Sequence, residues 1–287
     1  MTFSPSAFEY YFFSERNFYI KRDDLLSKTF SGNKARKFYY YLNHDFRHIS
    51  HIVSYGSNQS NAMYSLSELA RIKGWKFTYF CNHIPSYLKE NPMGNYAHAL
   101  KNKMRIFESD SKRDDALGCV DTHTLFIEEG GRQEEAQEGI ALLANELRED
   151  IAREKLENPF IFLPSGTGTT ALYLQKHLDI RVYTCPCVGD SEYLKQQWLM
   201  VEETLKKPII LESSKKFHYG KVYLELYDVW RHVQEQTGVV FDLVYDPIGW
   251  AILLEHLDTL KGTPIYIHQG GILGNESMEE RYKRKML

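Results

Sequence analysis

Short apolar runs that close on glycine or small polar residues, and then open into helix-spaced segments, constrain this chain more than any other feature. His51, Ile52 and Val53 lead into SYGSNQSN. Ala62, Met63, Leu66, Leu69, Ala70 and Ile72 then recur at three- and four-residue steps up to Gly74, the pattern of an amphipathic helix with a glycine end. Trp75 to Phe80, Phe160 to Leu163, Ile180 to Thr184, Phe241 to Tyr245 and Ile265 to Ile267 read as further strands. Such alternation predicts an α/β architecture with mostly parallel strands, because each crossover helix returns the chain to the sheet. The longest helix is expected from Glu134 to about Leu156, interrupted at Gly139, with a charged solvated face.

The 287 residues suffice for one large or two moderate domains with a real core. An apolar fraction of 43% and a net charge of -3 speak against nucleic acid as the main partner, which usually demands a strongly basic face. Cys81, Cys119, Cys185 and Cys187 lack zinc-binding spacing and read as reduced, mostly buried thiols. No window is apolar enough to span a membrane and no leader pattern opens the chain, so a cytoplasmic location is expected.

Three glycine turns follow expected strands. In SGTGTT, Gly166 and Gly168 let the backbone approach a ligand, Ser165, Thr167, Thr169 and Thr170 add hydroxyls, and the following helix offers free N-H groups to a phosphate. A Walker A loop is excluded for want of lysine, whereas Gly166, Gly168 and Ala171, with Asp190 beyond, satisfy a permissive dinucleotide fingerprint. SYGSNQSN offers hydroxyls and amides suited to a carboxylate, although Ser60 or Asn61 could equally be plain helix caps. His268-Gln269-Gly270-Gly271 is the third turn. Lys34, in SGNKARK, is either a surface lysine or a reactive amine held by a glycine turn. An amine, a phosphate cradle and a carboxylate loop together suit pyridoxal 5'-phosphate acting on a small amino acid.

Taken in order, KRDDLL, SGNKARK, SYGSNQSN, EEGGRQEEAQEGI, GTGTT and HQGGILGN resemble the 1-aminocyclopropane-1-carboxylate deaminase and D-cysteine desulfhydrase family. That resemblance implies two open, twisted, mostly parallel sheet domains of the tryptophan synthase β-subunit type (pyridoxal-phosphate fold type II), with the cofactor in the cleft between them. It implies a large domain of residues 1–42 and 150–287, a small inserted domain of 43–149, and a homodimer.

By the same resemblance, Lys34 is the Schiff-base lysine with Asn33 beside it. Ser60 is catalytic and, with Gln59, meets the substrate carboxylate, while Asn61 approaches the cofactor's phenolic oxygen. Residues Ser165 to Thr170 hold the phosphate, Tyr245 takes the catalytic tyrosine position, Asp246 lies by the pyridine nitrogen and Gln269 contributes to the cofactor site. Thr169 replaces a usual glycine, and Ala62 stands where the family often has His or Gln. β-Elimination from D-cysteine is the first expectation and opening of the cyclopropane substrate the second. A dinucleotide oxidoreductase and a non-catalytic cofactor binder are the readings from other classes.

Overall fold

The computed structural model describes residues 3–30, 32–204 and 206–286, so Ser31 of SGNKARK lies outside the described residues. Among the described residues ten strands form two sheets: β1 Ala7–Phe13, β2 Arg16–Arg22, β3 His51–Gly56, β4 Lys76–Cys81, β5 Arg105–Glu108, β6 Thr124–Ile127, β7 Pro159–Ser165, β8 Val182–Pro186, β9 Ile209–Ile210 and β10 Thr263–His268. The six-stranded sheet has the order β1-β2-β10-β7-β8-β9, and the four-stranded sheet the order β5-β4-β3-β6. Every pairing is parallel except β1 with β2.

Central β7 has Phe160, Ile161, Phe162 and Leu163 buried, the continuous apolar run of a strand covered on both faces. The antiparallel β1–β2 hairpin, which apolar patterning alone does not announce, turns on Ser14 and Glu15, both at positive φ (49° and 57°). Neither residue is the glycine or asparagine that normally signals such a turn.

Phe241 to Tyr245, expected as a strand, is irregular. Asp242 Oδ1 accepts from the Val244 and Tyr245 N-H groups at 2.6 and 2.7 Å, curling the chain into the helix Asp246–His256. Side chains replace strand neighbours here: Trp230 Nε1 and Asn275 Nδ2 donate to the Phe241 carbonyl at 2.9 and 2.8 Å.

The long helix runs Ala136–Arg153 without a break. Gly139 serves a close approach, since a Cβ there would lie 2.0 Å from the Arg36 carbonyl oxygen. Ile140, Leu143, Ala144 and Leu147 pack with Ile161, Leu163 and Ile265 of the six-stranded sheet. Residues 136–149 therefore lie with the large sheet. Phe30, Ala35, Phe38, Tyr41 and Leu42 pack instead with Ile52, Leu66 and Phe77 of the small one. The charges on the long helix are only partly solvated: Glu146 and Asp150 reach inward to Lys21 and Arg36.

Candidate active site

A cavity of about 240 Å3 opens between the sheets, lined by the end of β7 and by the turns that follow β3, β7 and β10. Carboxyl ends of parallel strands are where open α/β sheets bind ligands.

Lys34 reaches this cavity because its helix, Gly32–Lys37, is docked on the third glycine turn. Asn33 N-H donates to the Gln269 carbonyl at 3.0 Å. Gly32 has φ +66°, and a Cβ there would sit 1.8 Å from that same oxygen, so a glycine is required. The Lys34 Nζ donates to Asn33 Oδ1 at 3.3 Å, and Asn33 Nδ2 donates to Gln269 Oε1 at 2.9 Å. Burial lowers the Lys34 pKa to about 8, partly opposed by the nearby Asp242 charge.

At one end of the cavity, Gly168 (φ +69°) leads into the helix Thr169–His177. Thr167 and Thr169 share a hydroxyl contact at 3.1 Å, Ser165 turns to Thr184 Oγ1 at 2.7 Å, and the buried Thr170 Oγ1 lacks a protein partner. Lys37, one helical turn after Lys34, donates to the Gly130 carbonyl at 3.0 Å and to Thr167 Oγ1 at 3.3 Å. Burial drives its pKa well down, reinforced by the neighbouring Lys34 and Arg132 cations. An orphaned hydroxyl, free helix N-H groups and an amine crowded by other cations form a set that an anionic group would complete. The residues present fit a phosphate.

At the other end, Ser60 caps the helix Asn61–Lys73, accepting from the Ala62 and Met63 N-H groups at 3.1 and 3.4 Å. Ser57, Ser60, Asn61 and Ala62 line the cavity. Gln59 does not: its amide donates to the Met93 carbonyl at 3.3 Å and accepts from Tyr96 N-H at 3.4 Å, facing the small sheet's own helices.

Tyr245 lines the cavity against Gly166 and donates to the Tyr219 hydroxyl at 3.3 Å. Asp246 lies behind it, fully buried, accepting from Tyr266 Oη at 2.7 Å and from Asp242 N-H at 3.1 Å. Of the two aspartates it is Asp242 that lines the cavity, and burial raises its pKa to about 6. Lys37, Glu129, Tyr219 and Asp242 join the site without having been singled out in the sequence. Two of them lay in segments already quoted: Lys37 is the second lysine of SGNKARK at helical spacing, and Glu129 is the second glutamate of EEGGRQEEAQEGI.

No protein-family model matches the chain. A Thermotoga maritima protein provisionally named 1-aminocyclopropane-1-carboxylate deaminase is 23% identical, over 90% of this chain and 89% of its own length. An Oryza sativa protein provisionally named mitochondrial D-cysteine desulfhydrase 2 is 25% identical, over 62% of this chain and half of its own length. A crystal structure described as an ACC deaminase homologue superposes with a TM-score of 0.80 at 21% identity, covering 98% of this chain and 94% of that one.

The chain has the type II pyridoxal-phosphate enzyme fold. The motif resemblance is borne out as well, since the two relatives carry the names of that family's two activities. Among the described residues no helix is long and apolar enough to cross a membrane.

Proposed function

We propose that the chain is a pyridoxal-phosphate-dependent lyase or deaminase of small amino acids, with β-elimination from D-cysteine as its first activity and ring-opening deamination of 1-aminocyclopropane-1-carboxylate as the second. The observation that supports it is one cavity holding a low-pKa amine, an anion cradle and a loop of neutral donors. When bound, pyridoxal phosphate supplies an aldehyde for amines and a ring that delocalises electrons from Cα.

Lys37, the Thr167, Thr169 and Thr170 hydroxyls and the helix N-H groups hold the phosphate. Lys34, a weaker base than an exposed lysine and neutral in a larger fraction of molecules, takes the Cα proton. Ser57, Ser60 and Asn61 orient the substrate carboxylate at a helix N-terminus. Asp242, with Asp246 behind it, would supply a carboxyl for the pyridine nitrogen of the bound cofactor. For the cyclopropane substrate, which lacks a Cα proton, Tyr245 paired with Tyr219 is the group placed to attack or deprotonate the ring.

D-Cysteine and water would then give pyruvate, hydrogen sulfide and ammonia. The test is the visible spectrum of cofactor-loaded protein before and after D-cysteine, with the products quantified. A band that shifts, with sulfide matching pyruvate, supports the reading. A protein that acquires no band from pyridoxal phosphate returns Lys34 to an ordinary lysine and Gly166, Gly168 and Ala171 to the dinucleotide reading.

Two further outcomes follow from the anchoring groups. Lys37→Met is expected to weaken pyridoxal phosphate binding by about ten-fold or more, as a charge-assisted phosphate contact is lost, while leaving binding of phosphate-free pyridoxal nearly unchanged. Equal losses for both ligands would dissociate Lys37 from the phosphate. Capture of the aldehyde requires neutral Lys34, so its rate should rise about ten-fold per pH unit below the Lys34 pKa and level off near pH 8. Stopped-flow absorbance checks this, and a rise continuing to pH 10 would place another lysine in the role.

A further inference from the structure

Four charged side chains line the cavity: Lys34, Lys37, Glu129 and Asp242. Lys34 and Asp242 influence each other, and Lys37 serves the Thr167 end. Glu129 is left without a task.

Its carboxylate has no hydrogen bond among the described residues, and its ion contact is to Lys112 at 3.7 Å on the rim, too long for a hydrogen bond. A Cβ on Gly56 would lie 3.0 Å from Glu129 Oε1, which places that oxygen over the strand end immediately before Ser57. Burial is the main reason that the Tyr79, Tyr193 and Tyr219 hydroxyls are held above their ordinary range, and the Glu129 charge adds to each, consistent with a position among them.

A substrate whose carboxylate rests on Ser60 and Asn61 would present its side chain toward this wall. A neutral, donor-poor side chain closing over Glu129 would remove water from a carboxylate and return nothing. An ammonium group would return a charge-assisted hydrogen bond.

We infer that Glu129 gives this site a second class of substrate: small α-amino acids with an ammonium group on Cβ, of which 2,3-diaminopropionate is the simplest. The inference rests on the lyase reading above. In the elimination, Lys34 takes the Cα proton, the Cα–H electrons become the Cα=Cβ bond, and the Cβ–N bond breaks with its electrons leaving on neutral ammonia. Water then hydrolyses the remaining amine, so one diamino acid and one water yield one pyruvate and two ammonia. By keeping the Cβ amine protonated, Glu129 also prepares it to leave as a neutral molecule.

The test titrates cofactor-loaded protein with each enantiomer of 2,3-diaminopropionate and with D-cysteine, following the cofactor's absorption band, pyruvate and ammonia. Two ammonia per pyruvate are expected from the diamino acid. Glu129→Gln should raise the diaminopropionate concentration that half-shifts the band by about ten-fold, and lower kcat/KM for it relative to D-cysteine by a similar factor. Lys112→Met, which removes the competing rim cation, should move that ratio the opposite way. An unchanged ratio in Glu129→Gln, or D-cysteine turnover without any response to the diamino acid, overturns this inference alone. A band that no amino acid disturbs overturns the lyase reading and this one with it.

Discussion

Lys34→Ala is expected to abolish covalent attachment of pyridoxal phosphate and to lower turnover by about three orders of magnitude or more, the scale of removing a general base together with its covalent role. The fold should survive, because the Lys34 side chain makes one hydrogen bond, at 3.3 Å to its neighbour Asn33. The measurement pairs borohydride trapping and peptide mapping with a thermal melt. Label on the peptide containing Lys34 in the parent chain, none in the variant, and matching melts would tie the amine to the chemistry. Undiminished turnover in a folded Lys34→Ala protein would end the assignment. Label migrating to Lys37 would identify the second lysine as the reactive one.

Arg36→Met is expected to cost about 3–5 kcal/mol of stability, the range for removing one partner from a buried ion network. Arg36 is fully enclosed and grips two carboxylates: Asp23, at 2.8 and 3.1 Å, and Glu146, at 2.6 and 2.8 Å. Lys21 adds contacts to Glu146 at 3.0 Å and Asp150 at 2.7 Å, and Ser6 Oγ donates to Asp23 at 2.7 Å. Methionine would approximate the aliphatic stem while leaving Asp23 without a cation and Glu146 with Lys21 alone. Burial by itself would raise the Glu146 pKa, yet Arg36 and Lys21 together hold it below the ordinary value. With a folded pKa below the unfolded one, that part of the stability is present above the ordinary glutamate pKa and is lost as pH falls through the folded value. Urea unfolding at neutral pH checks the magnitude. A loss below about 1 kcal/mol would class the network with solvent-screened surface pairs. Cofactor uptake should suffer too, because Arg36 anchors the short helix that bears both Lys34 and Lys37.

The parallel core was legible because buried strands and amphipathic helices leave periodic traces. β3, β4, β7, β8 and β10 overlap five of the six apolar runs read as strands, and Gly74 ends its helix in the left-handed conformation its position suggests. The β1–β2 hairpin was not legible, because its two turn residues are Ser14 and Glu15 and many of its aromatic side chains face outward or sit half-buried. Phe241 to Tyr245 has the composition of a strand, but Asp242 captures two following N-H groups, a local competition that apolar patterning cannot register.

The site divides in the same way. Lys34, Ser60, Asn61, Gly166, Thr167, Gly168, Thr169, Thr170, Tyr245 and Gln269 converge on one cavity because each sits in or beside a motif at a strand or helix end. Asp246 and Gln59 share those motifs, yet their side chains are aimed elsewhere by partners distant in sequence, Tyr266 for one and Met93 with Tyr96 for the other. Glu129 opens the 3-10 turn Glu129–Gly131 within a quoted motif, whereas Tyr219 reaches the cavity along a loop path that only the assembled structure defines.

The split ownership of the cavity wall has a mechanical consequence. Thr167 to Thr170 follow a strand of the six-stranded sheet, whereas Ser57 to Asn61 follow a strand of the four-stranded sheet. On the proposed reading the two sheets would hold a bound ligand from opposite sides, a phosphate on one and an amino acid's carboxylate on the other, so the spacing between them would gauge the length of the substrate.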